Sequence, residues 1–380
     1  MTAPGNPRDG RFMRHALVLA ERALGTTAPN PAVGCVIAKD GIVLGCGRTA
    51  KGGRPHAETL ALAQAGEAAR GATAYVTLEP CAHTGQTPPC AEALIAAGIA
   101  RVVAAVEDPD PRVSGSGLAR LRAAGVEVVT GVCAKEAAEL NAGFFLGVRQ
   151  GRPLVSLKIA QSLDGKTAVA TGESQWITGE AARAFGHLLR AKHDAILIGV
   201  GTALADDPLL TCRLPGLEDR SPLRVVLDTR LKLSEWSKLA QTARDIPTLV
   251  FTTAAEGGDA LLACGVEIVR VERDAAGRPR LETVLAELGR RGITRLLVEG
   301  GATVHAAFLD RSLADRLEIF SANILLGEAG KGAVEALAAL TLGEAPRFRA
   351  LSQRRLGSDL LVSYRQAAHS PPGPTLSPGP

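Results

Sequence analysis

The chain reads as two successive α/β domains, and three observations carry that reading. Its 380 residues exceed the roughly 100 to 200 that one domain usually takes. Runs with β-branched strand patterns alternate with Ala- and Leu-rich helical runs along nearly the whole length, as expected for helices packed on sheets. A glycine and proline break, Gly151-Arg152-Pro153, ends a helical stretch just before a fresh strand. The domains are therefore expected at residues 1–150 and 151–367.

The elements follow in order. Phe12, Ala16, Leu19, Ala20 and Ala23 recur at three and four positions, predicting an amphipathic helix over 9–23 that ends at Gly25. Short β-branched runs at 33–38 and 42–45 flank Lys39-Asp40-Gly41, and an Asp-Gly pair between such runs predicts a hairpin. Next come a helix over 56–69, a strand at 74–78, a helix at 90–97, a strand at 102–106, a helix at 117–123, a strand at 126–129 and a helical stretch over 134–148. The second half repeats the alternation, with strands at 154–159, 195–198, 224–227, 248–251, 266–271, 295–298 and 317–320. Its helices include 180–191 and 281–288. The closing run 368–380, rich in proline and glycine, has too few apolar side chains to offset the entropy of ordering it, so a disordered tail is expected.

Composition narrows the function. With 46% hydrophobic, 22% charged and 3% aromatic residues, this is an ordinary globular chain. Lys plus Arg total 43 against 39 Asp plus Glu, a net charge of +4, and the basic residues are scattered, so charge does not call for nucleic acid. No apolar stretch approaches the about 20 residues a membrane span needs, and residues 1–11 lack the apolar core of a signal peptide, which predicts a cytoplasmic protein. The odd number of cysteines, seven, argues for reduced thiols or metal ligands over a disulfide framework. Cys35, Cys46, Cys133, Cys212 and Cys264 read as small hydrophobes, and His15, His187, His193 and His369 as surface or satisfied core residues.

Three short segments of the first half carry chemistry. His56-Ala57-Glu58 opens a helix, Pro80-Cys81 follows a strand, and Cys90 opens another helix. One imidazole and two thiolates suit Zn²⁺ and leave a fourth position for water. Zinc lowers the pKa of that water from about 15.7 toward 7, and Glu58 is placed to carry its proton to a leaving amine. His-x-Glu with a downstream Pro-Cys-x-x-Cys is the general pattern of zinc deaminases. Here eight residues, 82–89, separate Cys81 and Cys90. A closed structural zinc would take His83 as fourth ligand and leave Glu58 without a task.

That longer loop, with Asn30-Pro31-Ala32-Val33-Gly34-Cys35 and Thr77-Leu78-Glu79-Pro80-Cys81, resembles the deaminase half of the bifunctional riboflavin-biosynthesis deaminase-reductases. The resemblance covers almost all of the first 150 residues and implies an N-terminal cytidine-deaminase-like α/β/α sandwich. It implies hydrolytic deamination of 2,5-diamino-6-(5-phosphoribosylamino)pyrimidin-4-one, with His56, Cys81 and Cys90 binding Zn²⁺ and Glu58 carrying the proton. Asn30 would help hold the pyrimidine, and His83 would contact the base or the ribose phosphate. Thr49 stands where many members have a histidine, and Gln86 where a basic residue is frequent.

In the second half no Gly-x-Gly-x-x-Gly follows a strand, and Gly330-Lys331-Gly332 lacks the hydroxyl residue and spacing of a P-loop. Leu296-Leu297-Val298-Glu299-Gly300-Gly301-Ala302-Thr303-Val304 runs from an apolar strand through two glycines into a helix. Free amides at such a start can hold phosphate, although a tight turn alone explains the same pattern. Three further segments, 160–166, 172–178 and 201–208, resemble the reductase half of the same family in their family order, with similarity over 153–366. The resemblance implies a C-terminal dihydrofolate-reductase-like α/β domain that binds NADPH and reduces the ribosyl group of 5-amino-6-(5-phosphoribosylamino)uracil to ribityl.

By this resemblance Ala160, Trp176, Thr202, Asp206, Thr229, Gly301, Ala302, Thr303, Val304, His305, Ala306 and Ala307 line the cofactor. Lys158, Ser174, Arg190, Leu210, Arg213 and Glu299 line the substrate, with the arginines suited to its phosphate and Lys158 to orienting or polarising the opened sugar. Taken singly, Asp206 also fits a turn-former and Arg190 a helix-end cap. Two other functions remain open at this point. An editing deaminase would need a basic groove with stacking aromatics for RNA or DNA, and a zinc-stabilised scaffold would bind no NADPH. The leading expectation is a cytoplasmic homo-oligomer acting on a small phosphoribosyl-pyrimidine, with no nucleic-acid or membrane partner.

Overall fold

The computed structural model describes residues 7–82, 88–110 and 114–367. His83, Gln86 and the tail expected over 368–380 lie outside the described residues. The chain forms two compact units: Met1–Pro153 with Ala286–Thr294, and Leu154–Leu285 with the residues from Arg295 on.

The first unit runs α1 (Pro7–Glu21), β1 (Gly34–Lys39), β2 (Ile42–Arg48), α2 (Ala57–Ala65), β3 (Thr73–Val76), α3 (Cys90–Ala96), β4 (Arg101–Ala104), α4 (Ser116–Ala123), β5 (Glu127–Thr130), α5 (Ala134–Leu140) and α6 (Ala142–Gln150). Its sheet has the order β2-β1-β3-β4-β5. The β1 pairings are antiparallel and those of β4 parallel. Asp40 and Gly41 take φ of 52° and 85°, the positive values that a two-residue hairpin turn with native twist requires.

Side-chain alternation along the strands gives the sheet two covered faces. Cys35, Ile37, Ala74 and Val76 pack with Ala57, Ala61 and Leu94 of α2 and α3. Val36, Ala38, Tyr75 and Val103 pack with Phe12, Met13 and Ala16 of α1. An α/β/α sandwich results. Helix α2 lies directly on β2, because a Cβ at Gly47 would fall 2.0 Å from the Ala57 carbonyl oxygen. The helical stretch expected over 134–148 divides at Asn141. Its buried side chain accepts from the Ala32 N–H at 3.0 Å and donates to the Ala32 carbonyl at 3.1 Å, a polar demand that one continuous helix pattern does not reveal.

After Pro153 the chain supplies β6 (Leu154–Gln161), β7 (Lys166–Ala168), α7 (Glu180–Ala191), β8 (Ala195–Gly199), α8 (Val200–Asp206), β9 (Leu223–Leu227), α9 (Lys238–Gln241), β10 (Thr248–Thr252), α10 (Asp259–Cys264) and β11 (Glu267–Arg270). It continues with α11 (Leu281–Arg290), β12 (Arg295–Val298), α12 (Ala302–Asp310), β13 (Arg316–Ser321), β14 (Lys331–Gly332), β15 (Phe348–Leu356) and β16 (Asp359–Gln366). The nine-stranded sheet has the order β11-β10-β9-β8-β12-β6-β13-β16-β15. It is parallel from β11 to β13, and β16 pairs antiparallel with both neighbours. The inner strands β8, β10 and β12 are buried and mostly apolar on both faces, as buried parallel sheets are, with Ile196, Ile198, Val226, Val250 and Leu297 in one core.

Candidate active sites

In the first unit three ligating atoms converge. His56 is the residue preceding α2, Cys90 is the first residue of α3, and Cys81 follows the β3 strand end. His56 Nδ1 lies 3.3 Å from Cys90 Sγ and 3.7 Å from Cys81 Sγ, and the Cys90 N–H points at Cys81 Sγ at 3.4 Å. All three candidate donor atoms lie within 4.8 Å of one another. The Cys90 thiol donating to Cys81 lowers the Cys81 pKa and raises that of Cys90, while the bond to Cys81 raises His56. The cluster thus favours a thiolate beside a positive partner. This donor set fits Zn²⁺, which binds thiolates and neutral imidazole in place of their protons.

Glu58 sits in the first turn of α2, 3% exposed, and burial pushes its carboxyl up to about 7. Asn30 is half-buried at the end of the loop that leads to β1, its N–H donating to the Thr27 carbonyl at 2.9 Å. The segment after it is pinned from two sides. The Thr49 hydroxyl accepts from the Val33 N–H at 2.9 Å and donates to the Pro31 carbonyl at 3.2 Å, and Asn141 clamps Ala32 from the other. Thr49 therefore has a structural task here.

Glu79 is a further residue that sequence reasoning missed. Buried just before Pro80-Cys81, its carboxylate accepts from the N–H groups of Asp108, Gly115, Gly117 and Leu118 at 3.1, 2.9, 2.9 and 3.2 Å. It ties the approach to α4 onto the strand end that presents Cys81. The only sequence signal was its place within Thr77-Leu78-Glu79-Pro80-Cys81.

In the second unit Val298 of β12 pairs with Leu157 of β6, which puts Glu299 and Lys158 next in register. Arg190, near the end of α7, grips Glu299 with both fork nitrogens at 2.7 and 2.9 Å and donates to the Thr211 carbonyl at 2.9 Å. Burial opposes the charge on Glu299, but Arg190 and Lys158 outweigh it and hold the carboxyl at about 2. Burial lowers Lys158, whose Nζ lies 5.7 Å from the centre of the Phe320 ring. Leu210, buried beside Thr211, is held at a φ of 54°, a strained value for a branched side chain. Arg213 is exposed, and its N–H approaches His187 Nδ1 at 3.4 Å. Ser174 is half-buried, while Trp176 is exposed with the Arg183 guanidinium 4.8 Å over its ring.

A cavity of about 260 Å³ opens at the carboxyl ends of β8, β9 and β12, where parallel α/β sheets hold their ligands. Of the expected cofactor residues, Thr202, Thr229, Gly301, Thr303, Val304 and Ala307 line it. Ala160, Trp176, Asp206, Ala302, His305 and Ala306 are not among its lining residues. Helical period separates the α12 positions: His305 and Ala306 are buried on another side, with His305 Nδ1 3.1 Å from the Ala333 carbonyl oxygen. Ala160 packs against the core of the sheet, and Asp206 is exposed at the end of α8. Gly199, Gly201 and Gly301 bring bare backbone to the cavity wall among the side chains of Thr202, Thr229, Thr303 and Val304, an arrangement that lets a nucleotide approach main-chain N–H groups. A Cβ at Gly199 would fall 2.9 Å from Val304 Cγ2, and one at Gly300 would fall 3.2 Å from Thr202 Oγ1.

Residues 7–106 match the profile of the cytidine and deoxycytidylate deaminase zinc-binding region, and residues 153–362 match that of the RibD C-terminal domain. The chain is 42% identical over 359 residues to the riboflavin biosynthesis protein RibD of Aquifex aeolicus, an alignment covering 94% of this chain and 98% of that protein. The solved structure of Acinetobacter baumannii RibD matches with a TM-score of 0.84 at 41% identity, over 95% of this chain and 99% of that one. A Thermotoga maritima diaminohydroxyphosphoribosylaminopyrimidine deaminase/5-amino-6-(5-phosphoribosylamino)uracil reductase matches with a TM-score of 0.84 at 36% identity and the same coverage, 95% and 99%.

Proposed function

Since the chain belongs to the RibD family and is a bifunctional riboflavin-biosynthesis enzyme, a deaminase joined to a reductase with Zn²⁺ and NADPH as cofactors, we propose how its own residues divide the two steps. Residues 1–150 form the deaminase and 151–367 the reductase. The substrates are 2,5-diamino-6-(5-phosphoribosylamino)pyrimidin-4-one and then 5-amino-6-(5-phosphoribosylamino)uracil. The editing-deaminase alternative is not favoured, because the relatives that span the whole chain are RibD proteins.

In the deaminase, His56, Cys81 and Cys90 hold the zinc, which when bound supplies a water acidic enough to serve as nucleophile near neutral pH. Glu58 takes the proton released by the nucleophile and delivers it to the departing nitrogen. Burial suits it to both roles, since an acid–base catalyst works best with a pKa near the working pH. Asn30, on its pinned segment, holds the pyrimidine, and His83 is assigned to contact with the base or the ribose phosphate. The observation that carries this reading is the convergence of one imidazole and two sulfurs beside a buried carboxyl.

In the reductase, Thr202, Thr229, Gly301, Thr303, Val304 and Ala307 hold NADPH, which when bound supplies the hydride. Lys158 and Glu299 face the sugar. Both fork nitrogens and the third nitrogen of Arg190 are already engaged, so Arg190 fixes Glu299, and exposed Arg213 is the arginine placed for the substrate phosphate. Lys158, its ammonium destabilised by burial, donates a proton to the opening sugar more readily than an exposed lysine does. Among the described residues no helix is long and apolar enough to cross a membrane. The same reading makes the enzyme a cytoplasmic homo-oligomer with no nucleic-acid or membrane partner.

The test supplies the diamino substrate to the full chain and follows ammonia release and NADPH oxidation. Glu58→Gln is expected to keep its zinc and to reduce the deaminated substrate normally, while ammonia release falls at least about 100-fold, the lower range for losing a general acid–base. Ammonia release at the wild-type rate overturns the assignment.

A further inference from the structure

In the first unit, the loop that carries Asn30 is faced by the loop that joins β2 to α2 and ends at His56. This second loop contains the tight turn Lys51–Gly53. The Gly52 N–H donates to the Thr26 carbonyl at 2.8 Å, the Gly53 N–H to the Ala50 carbonyl at 2.9 Å and the Ala50 N–H to the Pro55 carbonyl at 3.0 Å. Backbone hydrogen bonds therefore tie the turn to the Asn30 loop and close it on itself just before His56.

Where the two loops meet there is no room for a side chain. Gly53 is buried, and a Cβ built on it would fall 1.8 Å from Asn30 Nδ2, 2.7 Å from Asn30 Cγ and 2.8 Å from Asn30 Cβ. The Asn30 amide thus lies on the bare backbone of Gly53. Among the described residues this amide has no hydrogen-bond partner, so packing fixes its direction and its polar atoms are left for a ligand. The backbone around it is already held, by the Asn30 N–H on Thr27 and by Thr49 and Asn141 on the three residues that follow. A group added at Gly53 would therefore be relieved by turning the Asn30 side chain to another rotamer.

We propose that Gly53 is a positioning residue of the deaminase, whose missing side chain sets the direction in which the Asn30 amide meets the pyrimidine and so the affinity for the diamino substrate. The inference rests on the assignment of Asn30 to the pyrimidine. A planar aminopyrimidinone presents its donors and acceptors at fixed angles, and a hydrogen bond weakens steeply once it is bent, so an amide turned aside loses its hold. Gly52 supplies the control. Both glycines have left-handed backbone, with φ of 76° at Gly52 and 86° at Gly53, so alanine carries a similar conformational penalty at either. A Cβ at Gly52, however, meets nothing within 4 Å, and the difference between the two alanine variants isolates the contact with Asn30.

The experiment follows ammonia release against diamino-substrate concentration for full-length, zinc-loaded Gly53→Ala, Gly52→Ala, Asn30→Gly and Gly53→Ala/Asn30→Gly, with zinc content measured on each. Gly53→Ala is expected to raise KM about tenfold over Gly52→Ala, the loss of one well-aligned hydrogen bond, while kcat falls less and zinc stays stoichiometric. In the Asn30→Gly background, where the three struck atoms are gone, Gly53→Ala is expected to change KM less than about twofold, as uncoupled positions do. Equal KM for the two alanine variants, a Gly53→Ala penalty that persists in the Asn30→Gly background, or zinc loss confined to Gly53→Ala overturns the proposal. If Gly53→Ala alone gives no folded protein, recovery of folded, zinc-loaded chain in the double variant supports the contact, and failure to recover it overturns the proposal. A wild-type KM in Asn30→Gly overturns the assignment of Asn30 and the proposal with it, whereas a raised KM there beside equal alanine variants overturns the proposal alone.

Discussion

Arg190 and Glu299 show how a charged pair at the end of a buried sheet is both a structural and a chemical element. With side chains 15% and 8% exposed, neither charge is well solvated, and each is tolerated because the other is present. Removing one partner from such a pair strands the other, which costs about 3 to 5 kcal/mol, whereas replacing both by apolar groups costs much less. Arg190→Met is therefore expected to destabilise the second unit by about that amount, and Arg190→Met/Glu299→Leu by less than the single variant. The chain's two tryptophans, Trp176 and Trp236, both lie in that unit, so denaturant titration followed by tryptophan fluorescence reads the comparison directly. A double variant as unstable as the single one removes stranded charge as the cause. The pair also has a pH signature. Glu299 titrates at about 2 in the fold against an ordinary 4.5, and a depressed carboxyl adds stability that is fully present above its unfolded value. That contribution is lost as pH falls from 4.5 toward about 2, so the stability gap between wild type and Glu299→Gln closes over this window.

Element geometry positions the metal ligands, and the contact of α2 with β2 is its most demanding part. Gly47 lets the Ala57 carbonyl approach to where a Cβ would stand, and Ala57 lies between His56 and Glu58. Gly47→Val is expected to push the start of α2 off the sheet, leaving substoichiometric zinc by metal analysis and at least about tenfold slower ammonia release, as misplacement of reacting groups by an ångström does. Gly147→Ala is the control, since a Cβ there meets nothing within 4 Å and a helical Gly to Ala change stabilises by up to about 1 kcal/mol. Normal zinc content in Gly47→Val removes the contact as the positioning device. Much of this was legible in the sequence. The Asp40-Gly41 hairpin is local chemistry, and His56, Cys81 and Cys90 each stand at an element boundary that periodicity marks. The division of the last helix was not legible, because it depends on Asn141 meeting Ala32, 109 positions away. Strands β15 and β16 escaped for another reason: β15 is exposed along nearly its whole length, so it carries no alternation, and its partner supplies the order. Glycines before α12 announced a ligand-facing turn, but which of residues 301–307 line the cavity is set by helical rotation, and a contiguous run cannot have a single face.

At the scale of the whole molecule the two sites draw on separate stretches of chain. The metal cluster and Glu58 come from residues 56–90 and belong to the first compact unit, while Lys158, Arg190, Glu299 and the cofactor cavity belong to the second. On the proposed assignment each site takes its residues from its own unit, and the chemistry of each would need nothing from the other beyond the deaminated intermediate. Variants disabled in opposite halves should then complement one another through solution. Glu58→Gln alone is expected to release almost no ammonia from the diamino substrate, and Lys158→Ala alone to release ammonia with little NADPH oxidation. Mixed, the two should oxidise NADPH after a lag, because the intermediate must first build up in solution, and the lag should shorten as the Lys158→Ala chain is raised. A mixture that releases ammonia but oxidises no NADPH, while the Glu58→Gln chain still reduces added deaminated substrate, contradicts this independence. In that case the intermediate stays with the chain that made it, and joining two complete sites in one polypeptide serves transfer between them.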